Sequence, residues 1–440
     1  MNPRVSIVGV LATIGIATVG LRVAAIAVPW FVLTASGSAL QTGLVVAAEL
    51  GPYVLAKAVG GPLVDRLGQR RVSITGDVLS AGLFALIPLL HHLDALQLPV
   101  LLIIVAIAGA LRGPGDAAKH TMAPLVATAA GTPLTRVTGL VGATERSAGL
   151  VGPGLAALLI TAFGPAATVL VTAACFGISA VVVLTCVPAA IAGPRGVETG
   201  PETYLVQLRH GWQFLVRDRL LFGLAVMIAM TNLLDVAKSS VLLPVWARDT
   251  GHGIAVIGLL LTCMAGAQVV SSVFASWLGD RLPRRTTYFV AFLIAGPPPY
   301  LVLGLDADLW VVVVTYVIAG LASGLLNPML GAIIFERIPP RMLGQVTAPL
   351  DALAYAGMPL GGLVAAALVA TAGLGPALLI SAALYTAAIL APAIGNRASF
   401  DPPAPQGAGP AEIGADHSAV TITASTGAST GASTKDTASR

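Results

Sequence analysis

Apolar blocks, most of them about 20 residues or longer, follow one another along almost the whole chain, separated by short charged or turn-forming stretches. They cover residues 6–33, 41–64, 72–91, 98–118, 137–162 and 166–188. After a polar interval they resume at 220–246, 254–278, 286–304, 309–335, 343–371 and 375–395. The blocks do not alternate with period two, so they predict helices and not barrel strands. Each is long enough to cross a hydrocarbon core. Six blocks on either side of 189–219 predict an all-α polytopic membrane protein with 12 transmembrane helices in two six-helix bundles, 1–188 and 220–397, a linker at 189–219 and a tail from 398 to 440.

Composition closes off the alternatives. Of 440 residues, 56% are hydrophobic and only 10% charged, far from the roughly 25% charge of a soluble domain. The 49 glycines suit helices that approach closely through small residues in lipid. Cys175, Cys186 and Cys263 lie inside apolar blocks without metal-ligand spacing and read as buried thiols. The net charge of +4 is dispersed among loops, which excludes a nucleic-acid footprint. The first block is too long for a signal-peptide core and reads as a retained span.

Lysine and arginine orient the spans. Arg4, Arg66, Arg70, Arg71, Lys119, Arg136, Arg195, Arg209, Arg217, Arg219, Arg281, Arg284, Arg285, Arg337, Arg341 and Arg397 fall on one side, whereas the opposite loops hold Arg248 alone. The positive-inside rule then places both termini in the cytoplasm. In the linker, Leu208, Trp212 and Leu215 recur at helical spacing with Arg209 and Arg217 beside them, predicting an amphipathic interfacial helix. The tail is rich in Pro, Ala, Gly, Ser and Thr and has too little apolar content to bury a core.

The two halves echo each other. Gly61-Pro62-Leu63-Val64-Asp65-Arg66-Leu67-Gly68-Gln69-Arg70-Arg71 ends the second span, and Leu278-Gly279-Asp280-Arg281-Leu282-Pro283-Arg284-Arg285 ends the eighth. Ala148-Gly149 through Ala157 is repeated as Ala356-Gly357 through Ala365, and the two are followed by Gly164-Pro165 and Gly375-Pro376. Duplicated bundles predict a site near the midplane exposed alternately by rocking. The charged turns lie where the bundle ends must slide, which makes Gly61, Asp65, Arg66, Gly68, Arg70, Arg71, Asp77, Asp280, Arg281 and Arg285 candidate gate residues.

Gly61 to Arg71 resembles motif A of the major facilitator superfamily. Gly139, Ala148, Gly152-Pro153 and Ala156-Ala157 resemble that superfamily's fifth-span antiporter motif. Pro29-Trp30-Phe31-Val32-Leu33, Asp77, the Trp212-Phe214 helix and Leu353-Ala354-Tyr355-Ala356-Gly357 look like the macrolide-efflux and Tap-like branch of actinobacterial drug:proton antiporters. The likeness spans residues 7–395. It implies a monomeric secondary transporter of the bacterial plasma (inner) membrane, exporting amphipathic small molecules against protons and using no cofactor. One departure stands out, because where that branch carries Gly-Asp in the first span this chain has Leu21-Arg22.

Glu49, Asp77, Asp116, Glu145, Asp235 and Asp351 fall within the predicted spans, where an ionised group costs a few kcal/mol and faces a partner or a wet cavity. Asp77 and Asp351 sit shallow and are expected at the gate, Asp77 against a motif-A arginine. Asp116 forms an intrahelical cluster with Arg112 and Lys119. Arg22 with Glu49 or Glu145 is the expected proton-coupling centre, against the alternative of a static buried ion pair. Trp30, Asn232, Asp235, Lys238, Asn327 and Tyr355 are cavity candidates, and Asn327-Pro328 predicts a helix break. No Walker A, His-Glu-x-x-His or Cys/His cluster supports an enzyme. Two readings compete with export: a same-fold carrier of another cargo, such as a lysolipid flippase or metabolite uniporter, and a non-transporting sensor.

Overall fold

A computed structural model describes residues 3–192, 201–278, 284–339 and 342–395. Asp280 and Arg281 and the 398–440 tail lie outside the described residues. All described regular structure is helical. The first half comprises α1 (Pro3–Ser36), α2 (Ala39–Val59), α3 (Gly61–Leu67), α4 (Gln69–His92), α5 (Leu98–Ala129), α6 (Leu134–Phe163), α7 (Pro165–Cys186) and the short α8 (Ala189–Ala192). After α9 (Pro201–Arg217), α10 (Arg219–Ala237) passes through a π-helical turn at Lys238–Leu242 into α11 (Leu243–Asp249). Then come α12 (Gly253–Leu278), α13 (Arg284–Ala295), α14 (Pro297–Gly304), α15 (Leu309–Ser323), α16 (Leu326–Arg337), α17 (Leu343–Ala356), α18 (Met358–Ala372) and α19 (Leu374–Gly395).

Among the described residues, eleven helical stretches are long and apolar enough to cross a membrane, and α15 is a shorter apolar helix. The expected tenth block, 309–335, is therefore divided. Pro328 has no N–H to donate to Gly324, and the helix opens at the two residues between α15 and α16. Prolines also explain the other interruptions. Pro297, Pro298 and Pro299 restart the ninth block after Gly296, and Pro359 restarts the eleventh after Gly357. The fourth block runs further than expected, to Ala129, so Asp116 and Lys119 lie inside α5 and Lys119 is not a loop residue. Its charge is buried because it has partners, as shown below.

Turns between helices use glycine where the backbone demands it. Gly68 (φ +85°, ψ 140°) joins α3 to α4. Gly164 (φ +81°, ψ 163°) and Gly373 (φ +84°, ψ 170°) adopt the same conformation before α7 and α19. The conformational counterpart of Gly164 is thus Gly373, two residues before the Gly375-Pro376 that the sequence echo suggested. Large apolar side chains such as Leu55, Val59, Ile103, Leu158 and Phe274 are exposed on the outer helix faces, as a lipid-facing surface requires. The interior is closed by small-residue contacts. A Cβ on Gly43 would strike the carbonyl of Gly362 in α18, and one on Gly258 would strike Ala157 in α6. These contacts join the two halves of the chain, and they lie toward the end of the molecule that carries Gly37 and Arg248. There the Arg248 guanidinium donates to the Gly37 carbonyl at 3.0 Å.

Helix α9 packs on α17 and α10. Leu215 is fully buried and Gly211 lies against the Gln345 carbonyl, whereas Trp212 is 44% exposed. Glycine decides the side, since only a residue without Cβ lets α9 touch the α17 backbone there. Asp218 ends this helix pair, capping α10 through the Leu220 and Leu221 amides and pairing with Arg337 at 3.0 Å.

Candidate functional site

The first polar contact inside the helices follows from glycine spacing. Gly109 and Gly113 of α5 face α2 so closely that a Cβ on Gly109 would collide with the Glu49 carbonyl, and one on Gly113 would come 2.6 Å from the Lys57 amide. Arg112, between them, is thereby brought onto Glu49, and the two form a buried ion pair. The guanidinium also stacks over Tyr53 (5.3 Å) and Phe176 (6.0 Å). Glu49 is therefore the partner of Arg112, not of Arg22, and Arg112 is drawn out of the expected cluster with Asp116.

Two turns further along α5, Lys119 reaches Asp77 of α4 at 2.6 Å and Asp116 at 3.6 Å, and Ser179 of α7 donates to the other Asp77 oxygen at 2.6 Å. Asp77 thus ties three helices together. Its partner is a lysine on the neighbouring helix, not a motif-A arginine.

Beside these pairs lie two cavities that share a wall. One, of about 570 Å³, is lined from both halves of the chain, by Arg22, Glu145, Arg146 and Pro153 on one side and by Ser239, Gln268 and Ser272 on the other. The second, of about 480 Å³, is lined by Arg22, Tyr53, Lys57, Arg112, Asp116, Lys119, His120, Glu145, Phe176 and Tyr355. Arg22 and Glu145 belong to both walls. Gly152 sets Arg22 in place, because the Arg22 Cβ fills the space a side chain at 152 would need. Glu145 Oε1 lies 3.3 Å from His120 Nε2, with both side chains about half-exposed (39% and 49%). Arg146 donates to Ser272 at 2.8 Å across the halves, and the Lys57 ammonium rests 4.8 Å over the Tyr355 ring.

Comparison with known proteins places this architecture. The Major Facilitator Superfamily model matches residues 10–238 and 226–428. The chain belongs to the major facilitator superfamily. It is 32% identical over 355 residues to the multidrug efflux pump Tap of Mycobacterium bovis (strain BCG / Pasteur), covering 80% of this chain and 84% of that protein. It is 30% identical to Tap of Mycolicibacterium fortuitum, covering 79% and 85%. Among solved structures, the nucleoside transporter NupG superposes with a TM-score of 0.68 at 13% identity, over 89% of this chain and 98% of that one. A POT family transporter in complex with a thioalcohol-conjugated peptide gives 0.65 at 12% identity, over 88% and 94%. The two structural likenesses carry the fold. Membership makes this chain a transporter and not an enzyme, a multi-pass protein of the bacterial plasma membrane.

The segment from Gly61 to Arg71 is a short helix and turn anchored at one end. Arg70 donates from Nε to the Val187 carbonyl (2.7 Å) and from its terminal nitrogen to Leu184 (2.8 Å), closing the carbonyl end of α7. Asp65, Arg66 and Arg71 are exposed, and Gly61 has open space around it. Arg285 opens α13. Gly139 likewise meets nothing within 4 Å, whereas Gly152 and Pro153 contact α1 and α12. Of the cavity candidates, Tyr355 lines the smaller chamber, Trp30 is buried in the core, and Asn232 donates to the Ala354 carbonyl at 3.0 Å, linking α10 to α17. The Asn327 side chain lies outside the described residues. Lys238 pairs with Asp235 at 3.0 Å and lies 5.0 Å over Tyr300, while the Tyr385 hydroxyl donates to Asp235 at 3.3 Å. These two residues satisfy each other at the start of the π turn. Arg112 and Lys119 stand out in the sequence only as an intrahelical cluster with Asp116, and His120 and Ser179 do not stand out at all, although Gly109-x-x-x-Gly113 around Arg112 is a usable signal of close packing there.

Proposed function

We propose that this chain is a secondary active exporter of amphipathic small molecules. It works by alternating access between two six-helix bundles, twelve spans in all, in exchange for protons, as a monomer with both termini in the cytoplasm. The observation that carries this reading is a chamber lined from both halves of the chain, which shares Arg22 and Glu145 with a second chamber built by the first half and Tyr355. Glycine contacts at Gly43 and Gly258 and the Arg248–Gly37 hydrogen bond hold the halves together toward one end. The charged turn 61–71 falls at the other, and with both termini cytoplasmic this is a state closed outward. The Tap relatives are multidrug efflux pumps, which supports export as the direction.

In this mechanism Glu145 carries the proton. Its carboxylate is wetted in the chamber, has His120 as an exchangeable partner, and lies on α6, which packs directly on α12 of the other half. A carboxylate alternately wetted and desolvated takes up and releases a proton as its surroundings change. Glu49, locked to Arg112, holds α2 on α5 as a rigid unit. Arg22 sits where proton and substrate compete for the same space. The test is accumulation of fluorescent cationic, neutral and anionic amphiphiles in an efflux-deficient bacterium. Expression of the chain lowers accumulation of at least one, and both a protonophore and Glu145→Gln abolish the effect. Unchanged accumulation of every probe class, with the protein present in the membrane, overturns the export reading.

A further inference from the structure

Resting on the transport reading, we propose that the shared cavity selects anionic amphiphiles, molecules that carry a sulfonate, carboxylate or phosphate on an apolar body. The charges that line it do not cancel locally. Arg112 is taken by Glu49 and Lys119 by Asp77 and Asp116, and Glu145, 3.3 Å from the His120 imidazole, is the one acid on the wall that the two chambers share. That leaves Arg22, Lys57 and Arg146, and among the described residues no carboxylate lies within 4.0 Å of any of them. Arg146 is held by the neutral Ser272 hydroxyl. Lys57 has the ring faces of Tyr53 and Tyr355, with the Asp351 carboxylate in electrostatic reach but beyond pairing distance. Arg22 stands on the common wall, rooted against Gly152, with its head accessible from both chambers.

A guanidinium and an ammonium facing a cavity between membrane helices are costly without counter-ions. A ligand anion supplies one. Arg22 offers a planar fork of donors suited to a carboxylate, sulfonate or phosphate, and Lys57 a point charge. The cavity walls also hold apolar surface for the rest of such a molecule, with Phe176, Tyr355 and Leu21 in one chamber and Leu261, Met264 and Val269 in the other. A cationic ligand meets the opposite situation. To reach Asp116 or Glu145 it must displace Lys119 or His120, and it sits against Arg22 while doing so.

Two probes built on one naphthyl body, a sulfonate and a trimethylammonium, separate the cases. Binding to the purified full-length chain in neutral detergent is measured by equilibrium dialysis, and transport in liposomes with the same probes. The sulfonate binds at least about tenfold tighter than the ammonium, the scale of one charge-assisted contact. Arg22→Gln removes most of that preference and Lys57→Gln part of it. Arg22→Lys retains more than Arg22→Gln, which separates charge recognition from a packing defect. Short-chain lysophosphatidylglycerol added as competitor identifies the source of the anion: displacement of the sulfonate marks a lipid headgroup, and its failure to compete a soluble anion. Equal or tighter ammonium binding overturns the inference, as does sulfonate binding unchanged in both Arg22→Gln and Lys57→Gln. Transport of the ammonium alone leaves the transport reading standing and removes the anion preference. Selective sulfonate binding with transport of neither probe does the reverse.

Discussion

The Glu49–Arg112 pair gives the sharpest energetic prediction. Replacing Arg112 by Met removes the guanidinium and leaves Glu49 buried between α2 and α5, where Gly109 and Gly113 leave no room for the helices to part locally. Breaking a buried ion pair from one side costs about 3–5 kcal/mol in soluble proteins. Helices unfolded in detergent keep finding polar partners, which lowers such values, so a loss of about 2–4 kcal/mol is expected here. Glu49→Gln alone strands the guanidinium, whose Nε already has no partner, and costs a similar amount. The double variant Glu49→Gln/Arg112→Met removes both charges together and returns to within about 1 kcal/mol of the parent, since a buried pair replaced by matched neutral groups is near neutral. The assay is sodium dodecyl sulfate titration of the protein in mixed micelles, followed by tryptophan fluorescence. Single variants that each cost under about 0.5 kcal/mol, or a strictly additive double variant, would refute the assignment of this pair as what fixes α2 on α5.

Three further outcomes follow from the same geometry. Gly109→Leu drives a side chain into the Glu49 carbonyl and gives aggregated protein on size-exclusion chromatography, whereas Gly82→Ala, with open space around it, is neutral or stabilising by up to about 1 kcal/mol. Gly68→Ala forces a Cβ onto a backbone at φ +85° and costs about 1–3 kcal/mol by the same titration, while Gly61→Ala does not. Asp77→Asn weakens the link between α4, α5 and α7 and destabilises more than Ser179→Ala, which removes one hydrogen bond worth about 1–3 kcal/mol to a charged acceptor.

Most of the helical layout was legible because a membrane span is written in a long apolar block, and nothing else in the chain competes with that signal. The misreadings share a physical cause. Hydropathy ends the fourth block where charges accumulate, after Arg112 and Asp116, which leaves Lys119 just outside it; in the folded chain Asp77 and Asp116 neutralise Lys119 and α5 continues for about three more turns, to Ala129. Partners across helices cannot be read from one helix's periodicity. Asp77 therefore found Lys119 in place of a motif-A arginine, and Glu49 found Arg112 in place of Arg22. The tenth block illustrates the converse, since Asn327-Pro328 predicts a break and the helix restarts at Leu326, two residues before the proline. Arg22 and Glu145 were visible as charges in apolar blocks, and both prove to line the same two chambers.

Proton movement through Glu145 is tested most directly in liposomes containing the purified protein and a pH-sensitive dye. A pH gradient is imposed, the naphthyl sulfonate and its trimethylammonium counterpart are added in turn, and internal pH is followed. Substrate-dependent proton flux that disappears in Glu145→Gln and persists in the Glu49→Gln/Arg112→Met pair is the expected result. Labelled substrate crossing with no accompanying proton movement, or flux that survives Glu145→Gln, would contradict it.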